Sequence, residues 1–294
     1  MKPSTEKSYQ CVVEVHILPT LGNLQLVEIA PMHIEELLRA KVASGRSSKT
    51  VRNIVVTLQG IFSLAEEDDL ISKSPVRRRH KPVLPREEKP VWTAEQVLKI
   101  IEAVPTRFQV LFVTVALTGL RLGELLALQW KHVDFEDCRL RIQQSLWNGE
   151  IVPVKTRSSV RVILFGDVLA QHLTDHLQRS VHIGPEDFVF SHDSRRPLNP
   201  DVLRRDVLYS ALDRTGIPRP KRASGFHTFR HSAGSFLNEQ TGNLKLAQRF
   251  LGHADISTTA NIYTHTSSES DGVLRRRLSG QFLEICSQNR EQEQ

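Results

Sequence analysis

The sequence lacks most of the features that mark secreted and membrane proteins. Its cysteines are odd in number, far apart and without metal-ligand spacing, which predicts free thiols in a reducing compartment: Cys11, Cys138 and Cys286. No stretch approaches the run of about 18 apolar residues that spans a membrane. The opening MKPSTEKSYQ has no apolar signal-peptide core. We therefore expect a cytoplasmic protein without a membrane partner.

The composition is that of an ordinary globular protein with a mild excess of positive charge. Of its 294 residues, 39% are hydrophobic and 24% are charged, and the length suffices for two domains with separate cores. The formal net charge is +6, with a sequence pI near 9.4. Such a charge suits a polyanionic partner such as a nucleic acid. It also occurs in soluble proteins that merely happen to be basic, so charge alone does not identify the partner.

Residues 4–76 predict a helical unit. A first helix is expected over residues 4–17, ended by a break over residues 19–22. Pro31 suits the first turn of a second helix. The apolar stripe of that second helix consists of Ile34, Leu37, Leu38 and Val42. A third helix carries apolar residues at three- and four-residue spacing, namely Val51, Ile54, Val55, Leu58, Ile61, Phe62 and Ala65.

Basic residues follow at two places in this part of the chain. Through HILPTLGNLQLVEI, SSKTVRN and LISKSPV, this unit resembles the helical core-binding domain of the integrase family. The resemblance makes Lys49 and Arg52, at the start of the third helix, candidates for phosphate contacts, with two solvated surface charges as the alternative. The segment 77–90 contains three prolines, which predict an extended interdomain linker that cannot form a helix. Beside DNA, its basic residues would neutralise phosphates. The candidates there are Arg77, Arg78 and Arg79, and a plain linker without DNA contacts is the alternative.

A second domain is predicted from residue 91 onward. Thr93 and Gln96 form a capping box for its first helix, and residues 108–117 predict a buried apolar helix that ends at Gly119. Arg121 follows this break. An arginine at the edge of a buried segment needs an anionic partner. The candidates are a carboxylate such as Glu124, which would make a structural ion pair, and a phosphate.

Residues 139–165 change to strand character. Aliphatic and β-branched runs are separated by Asn148-Gly149 and by residues 155–159, which predicts a three-stranded antiparallel sheet. Lys155 lies near the tip of the second turn. A lysine on a hairpin tip is usually only solvated, so position alone assigns it no role.

The most informative stretch runs from residue 227 to 265 and predicts three short helices. It holds His227, Arg230, His253 and Tyr263 within about forty residues, and the first two share one helical face. A phenol can attack phosphorus while guanidinium and imidazole donors hold the charge on the phosphate oxygens. Ordinary core and surface roles for the same four side chains are the alternative from spacing alone.

Several motifs in this chain resemble the phage integrase family of tyrosine recombinases: HxFRH, LGH, STTANIYTH, TGLRxGEL and PVKTRSSVRVILF. The resemblance implies a mainly α fold with a small antiparallel β-sheet. It further implies a helical core-binding domain over residues 1–76, a basic linker over 77–90, and an α+β catalytic domain of the DNA breaking-rejoining type over 91–294. The implied partner is double-stranded DNA at a specific core site, bound by a homotetramer.

The same resemblance implies a role for each polar residue of the site. Tyr263 would attack the scissile phosphodiester and form a 3′-phosphotyrosyl link, with His227 as its base. Lys155 would be the general acid for the leaving oxygen, with Arg157 and Arg161 as nearby substitutes. Arg121, Arg230 and His253 would hold the phosphate oxygens. No metal or other cofactor is expected.

Three other interpretations compete with this one. Four histidines suggest a metal site, but the sequence between His227 and His231 is TFR, without the glutamate of HExxH. The same basic groups could belong to a DNA-binding protein without catalysis. A type IB topoisomerase uses similar residues to relax DNA. The helical amino-terminal unit and the short chain favour recombination over relaxation.

Overall fold

The computed structural model describes residues 3–84, 89–154, 160–192, 194–220 and 225–251. Contacts divide the chain into two compact units, one up to residue 87 and one from residue 88 onward. Each has its own apolar core. Within the described ranges, no helix is long and apolar enough to cross a membrane. The mainly helical fold with small antiparallel sheets is as predicted.

Over residues 3–84, the first unit consists of four α-helices and short turns. The helices are α1 (Pro3–Val12), α2 (Leu18–Leu21), α3 (Pro31–Ala43) and α4 (Ser48–Glu67), with a π-helical turn at Val13–Ile17 and 3₁₀ turns at Leu26–Glu28 and Arg78–His80. The side chain of Ser47 accepts a hydrogen bond from the Thr50 N–H at 3.2 Å, which caps α4. The predicted stripe of α4 is buried except for Ile61, which packs against the core from a partly exposed position.

Two details of the first unit differ from the prediction. The chain remains helical past Pro19 as far as Leu21, because the preceding π-turn interrupts the regular hydrogen-bond pattern and Pro19 falls in the first turn of a new helical segment. Val42, predicted as part of the buried stripe of α3, is 60% exposed. The core face of α3 is narrower and consists of Ile34, Leu37 and Leu38.

The start of the predicted linker also differs from an extended chain. The 3₁₀ turn at Arg78–His80 buries His80, and the Arg79 guanidinium donates to the Glu35 carboxylate of α3 at 2.7 Å. Arg79 is largely exposed and Glu35 is partly exposed, so solvent screens this ion pair and it adds little stability. The three prolines prevent a regular helix in this segment, but the first of them is Pro82, so a single 3₁₀ turn can form before it.

The second unit contains eight α-helices among its described residues. These are α5 (Ala94–Ala103), α6 (Thr106–Thr118), α7 (Leu122–Leu126), α8 (Asp167–Arg179), α9 (Pro200–Val202), α10 (Tyr209–Thr215), α11 (Gly225–Thr241) and α12 (Leu244–Leu251). A π-helical turn at Leu203–Leu208 joins α9 to α10, and a 3₁₀ turn lies at Trp130–His132. The predicted capping box is present: the Gln96 N–H donates to Thr93 at 3.2 Å and the Thr93 N–H donates to Gln96 at 3.0 Å.

Among the residues that the structure describes, five short strands form two antiparallel sheets. They are β1 (Val133–Asp134), β2 (Arg139–Ile142), β3 (Gln144–Trp147), β4 (Glu150–Pro153) and β5 (Arg161–Leu164). The strand order is β1-β2-β5 in one sheet and β3-β4 in the other. The prediction of one three-stranded sheet made from the 139–165 segment alone was therefore wrong in topology, although all three predicted runs are strands.

The split into two sheets has a local cause. Asn148 and Gly149 both adopt positive φ and close a tight hairpin between β3 and β4. The Gln144 side-chain amide donates to the Ala127 carbonyl at 2.7 Å and to Gln129 Oε1 at 2.9 Å. These bonds place β3 beside the end of α7, and β3 is not part of the sheet that contains β2. The missed strand, QSLW, has no apolar alternation that could have identified it.

Candidate functional site

Arg121 stands at a sharp turn between two helices. Helix α6 ends at Gly119, which adopts the left-handed conformation with φ +60°. Leu120 is fully buried, and Arg121 then occupies the N-cap position of α7. Its side chain is 35% exposed. The turn therefore anchors the backbone of Arg121 in the core while its guanidinium reaches the surface.

A buried carboxylate holds this arginine from below. Glu124 accepts the backbone N–H of Arg121 at 3.0 Å, and its other oxygen pairs with the Arg121 guanidinium at 2.7 Å. The Arg161 guanidinium donates to both oxygens of Glu124, at 3.3 and 3.0 Å. Burial by itself raises the pKa of Glu124, but the hydrogen bonds and charge of Arg161, with the charge of Arg121, outweigh it and lower the pKa. Glu124 is therefore ionised.

Close packing fixes the position of α7. A β-carbon added to Gly123 would lie 2.5 Å from Ser145 Oγ and 2.7 Å from the Leu146 carbonyl oxygen of β3. Only glycine allows the helix and the strand to approach this closely. The start of α7, and with it Arg121, is therefore seated directly on the β3-β4 hairpin.

Arg230 lies on α11 and is held by backbone carbonyls. Its Nη1 donates to the carbonyl of Gly119 at 2.7 Å, and its Nη2 donates to the carbonyl of Leu251 at the end of α12. The residue is only 2% exposed. Because Gly119 lies two residues before Arg121, the Arg230 guanidinium bonds directly to the turn that carries the other arginine.

Aromatic packing fixes the α11 turn that carries Arg230. Phe229 makes edge contacts with Trp92 and with Phe112 of α6, with ring centroids 4.9 and 5.7 Å apart. The backbone N–H of Trp92 donates to Ser232 Oγ at 2.9 Å. These buried contacts on either side of Arg230 leave the helix little freedom to rotate.

His227 shares α11 with Arg230, three residues earlier. Although part of the residue is exposed, its pKa is lowered. The largest cause is desolvation by the surrounding protein, followed by the positive charges of Arg230 and Arg121, while Glu124 opposes the shift. The imidazole is thus neutral at pH 7 and can accept a proton. Because His227 lies one turn before Arg230, and Arg230 bonds to Gly119 two residues before Arg121, the three side chains belong to one region.

The structure brings three of the six predicted site residues together: Arg121, His227 and Arg230. The other three, Lys155, His253 and Tyr263, lie outside the described residues. Among the predicted DNA contacts, Lys49 and Arg78 are exposed and Arg52 is partly exposed. Arg77 donates to the Ser74 carbonyl at 2.6 Å, and Arg79 pairs with Glu35. These contacts neither require nor prevent binding to a phosphate.

The sequence did not identify Arg161 as the second partner of Glu124, because the two residues are 37 positions apart. The strand pattern predicted β5, but not where its first side chain would point. In the folded chain, two arginines, Arg121 and Arg161, share the single carboxylate of Glu124. With Arg230 nearby, the region has a surplus of positive charge suited to an anion. Within the described ranges, no three His, Cys, Asp or Glu side chains group as metal ligands.

Comparisons with known proteins agree on the class that this fold and site define. The model of the phage integrase family matches residues 90–270, which is more than half of the chain. A tyrosine recombinase XerC-like protein of Caldanaerobacter subterraneus subsp. tengcongensis is 29% identical, over 90% of this chain and 74% of that protein.

Solved structures show the same fold. The Tn1549 transposon integrase, in complex with a circular intermediate DNA, matches with a TM-score of 0.76 and 22% identity, over 95% of this chain and 94% of that chain. Lambda integrase, as a tetramer bound to a Holliday junction, matches with a TM-score of 0.70 and 20% identity, over 92% and 75% of the two chains. This chain belongs to the phage integrase family. It is a tyrosine recombinase, an enzyme class that breaks and rejoins DNA strands.

Proposed function

We propose that this chain is a site-specific recombinase that uses Tyr263 as its nucleophile. The Tyr263 phenolic oxygen attacks the scissile phosphorus, and the bond from phosphorus to the 5′ oxygen breaks. The products are a 3′-phosphotyrosyl link and a strand with a free 5′ hydroxyl. A 5′ hydroxyl from a partner strand then attacks the phosphotyrosine, releases Tyr263 and completes the exchange. The phosphotyrosyl bond conserves the energy of the phosphodiester, so no ATP is needed.

The observation that carries this proposal is the meeting of Arg121, Arg230 and a neutral His227 in one region. Both guanidiniums can donate charged hydrogen bonds to non-bridging phosphate oxygens: the Arg121 side chain is 35% exposed, and Arg230 uses one N–H of each Nη on a carbonyl. A phenol has an ordinary pKa near 10 and needs a base at neutral pH. The lowered pKa of His227 keeps its imidazole unprotonated for that purpose.

Two further residues complete the proposed reaction. Lys155 gives a proton to the leaving 5′ oxygen, and His253 donates a hydrogen bond to the phosphate. Both assignments rest on the family motifs that contain these residues. The cationic side chains supply the charge stabilisation that metal ions give other phosphoryl-transfer enzymes, so we propose a reaction without a cofactor.

Trapping the covalent complex is the decisive test. A target duplex is first selected from a random-sequence pool by binding to the Tyr263→Phe variant. A nick placed near the cleavage point then lets a short 5′-hydroxyl fragment diffuse away, which prevents rejoining. We expect the natural chain to become covalently attached to a 3′ DNA end. The Tyr263→Phe variant should bind the same duplex and form no adduct. Adduct formation by that variant, or none by the natural chain, would overturn the proposal.

The proposed partner is double-stranded DNA at a specific core site, bound by four copies of the chain. The fold similarity to lambda integrase, whose structure is a tetramer on a Holliday junction, supports this assembly. We assign residues 1–76 as a core-binding domain, 77–90 as a basic linker and 91–294 as the catalytic domain. Sedimentation of the chain with a selected duplex and with a four-way junction would measure the stoichiometry. A complex that never exceeds one copy per site pair would contradict the assembly.

In this proposal, basic side chains of the first unit and the linker contact phosphates: Lys49, Arg52, Arg77, Arg78 and Arg79. Replacing the exposed Lys49 by Gln should weaken binding to all sequences alike and reduce the dependence of affinity on salt by about one phosphate contact. The exposed Lys7, on α1 outside the proposed contacts, is the matched control. The reaction takes place where the DNA lies, which in a bacterial host is the cytoplasm.

A further inference from the structure

Glu124 bonds to a second guanidinium, that of Arg161, which has no role in the proposed reaction. The Arg161 side chain is 7% exposed and Glu124 is 2% exposed, so this ion pair is almost completely removed from solvent. Both carboxylate oxygens accept from Arg161, at 3.3 and 3.0 Å. A bidentate pair of this kind fixes the plane and the position of both groups. Its burial makes either partner costly to remove alone.

Arg161 and Arg121 do not contribute equally to the carboxylate. The Arg161 guanidinium donates to both oxygens of Glu124 from a side chain that is 7% exposed, whereas Arg121 gives one guanidinium bond at 2.7 Å and its backbone N–H at 3.0 Å. The Arg121 side chain is 35% exposed. Arg161 therefore maintains the charge and orientation of Glu124, and Glu124 in turn offers Arg121 a fixed acceptor at 2.7 Å.

The location of Arg161 in the chain gives this pair a second consequence. Arg161 is the first residue of β5 and pairs with Ile142 of β2. Lys155 precedes it by six positions in the sequence. The Arg161–Glu124 pair thus joins the strand that follows Lys155 to the first turn of the helix that follows Arg121. One buried carboxylate connects the two segments that supply these side chains.

We infer that Arg161 is a positioning residue for DNA cleavage, which acts through Glu124 to hold Arg121 and the strand after Lys155 in a common arrangement. The inference rests on the proposed function, since it assigns Arg121 and Lys155 to the phosphate. Arg161 itself contacts the buried carboxylate and is not assigned to the DNA. Without Arg161, the Glu124 carboxylate loses the two hydrogen bonds that fix its orientation, and Arg121 is then paired with a less ordered carboxylate.

The test compares Arg161→Gln and Arg161→Lys with Arg141→Gln. Arg141 is the matched control because it lies on the neighbouring strand β2, is half exposed and pairs with Asp134. The measurements are the rate of covalent adduct formation at saturating nicked duplex, the affinity for that duplex and the melting temperature.

We expect Arg161→Gln to slow adduct formation by about 10- to 100-fold, because small misplacements of catalytic groups have effects of that size. DNA affinity should stay within about twofold, since binding is carried by many phosphate contacts. Arg161→Lys keeps the charge but loses the fork, so it should recover part of the rate. Arg141→Gln should react at the natural rate.

A double-mutant cycle with Glu124→Gln separates positioning from other roles. If Arg161 acts through Glu124, the double variant will be no slower than the slower single variant. Multiplied single effects would mean that Arg161 acts independently of Glu124, and they would overturn the inference. So would a natural rate in Arg161→Gln, or a loss of rate that matches a loss of folded protein in both Arg161 variants. Failure of the natural chain to form an adduct would instead overturn the proposed function.

Discussion

The two arginines of the site are held in opposite ways. Arg121, at the start of α7, pairs with a buried carboxylate and keeps a side chain that is 35% exposed. Arg230, on α11, donates to two backbone carbonyls and is 2% exposed. A carboxylate offsets the charge of its partner, whereas carbonyl dipoles orient a guanidinium and leave its net charge in place.

This difference gives the two arginines different structural roles. Arg230 connects Gly119 at the end of α6 to Leu251 at the end of α12, so it is part of the structure as well as of the site. Arg121 is linked to Glu124, and through it to Arg161, in a chain of ion pairs whose outer member is 35% exposed. We therefore expect Arg230 variants to lose stability and rate together, and Arg121 variants to lose mainly rate.

The largest effect is expected for Arg230→Gln. Glutamine is shorter and has one donor nitrogen in place of the two that bond these carbonyls, so we expect at least one carbonyl to lose its donor, at a cost of about 1–3 kcal/mol. Loss of a charged donor to the phosphate should lower adduct formation by about 10²–10³-fold. Thermal unfolding and single-turnover kinetics would measure both. Arg230→Lys should restore part of the rate, and a variant with the natural melting temperature would contradict the structural role.

Arg121→Gln should show the other half of the contrast. We expect adduct formation to fall by about 10²-fold, since one charged donor is lost. The melting temperature should change little, because the exposed end of this ion pair is solvated and Glu124 keeps Arg161. A melting temperature that falls as far as in Arg230→Gln would show that the two arginines do not differ in this way.

Gly123→Ala tests whether Arg121 depends on the close approach of α7 to β3. The added methyl would overlap the Leu146 carbonyl, and overpacking of this kind costs about 1–3 kcal/mol. The rate of adduct formation should fall together with the free energy of unfolding, because the added methyl displaces α7 and with it Arg121. Gly60→Ala is the control, because nothing lies within 4 Å of the added carbon and alanine favours a helix. Denaturant unfolding should show opposite signs for the two variants.

The sequence predicted the parts of this contrast that depend on local patterns. The helix end at Gly119, the apolar helix before it and the shared helix of His227 and Arg230 follow from residue types and spacing. Glu124, three positions from Arg121, was one of the two partners considered for that arginine, and the structure shows this ion pair. The distant partners do not follow from the sequence. Glu124 and Arg161 are 37 positions apart, and Arg230 bonds to a carbonyl 111 positions away. Such pairs leave no periodic signal, because only the folded chain brings them together.

The pairing of the strands was also predicted wrongly, because the partner of a strand depends on contacts between distant parts of the chain. The runs that became β2, β4 and β5 were recognised, but β2 pairs with β5 and β4 pairs with β3. Strand propensity describes how residues fit a pleated surface and does not specify the partner. The Gln144 side chain bonds to the Ala127 carbonyl at the end of α7, a contact that no alternation of apolar residues along a strand could indicate.

The smallest expected effect concerns the pH dependence of His227, whose pKa is influenced by both arginines. A protonated imidazole cannot accept the phenol proton, so the adduct rate should fall as the pH falls through the His227 pKa. Because that pKa is lowered, the acid midpoint should lie below 6.5, the ordinary value for histidine. Removing Arg121 or Arg230 takes away a positive charge and should move the midpoint to higher pH, with the larger shift for Arg230.

Removing Glu124 acts with the opposite sign, because its charge raises the pKa of His227. Glu124→Gln should therefore move the acid midpoint to lower pH, while Arg141→Gln leaves it unchanged. Single-turnover rates from about pH 5 to 8 at constant ionic strength would resolve these shifts. Opposite movements in Arg121→Gln and Glu124→Gln would distinguish a titrating imidazole from a general effect of pH on DNA binding, which would shift all variants together.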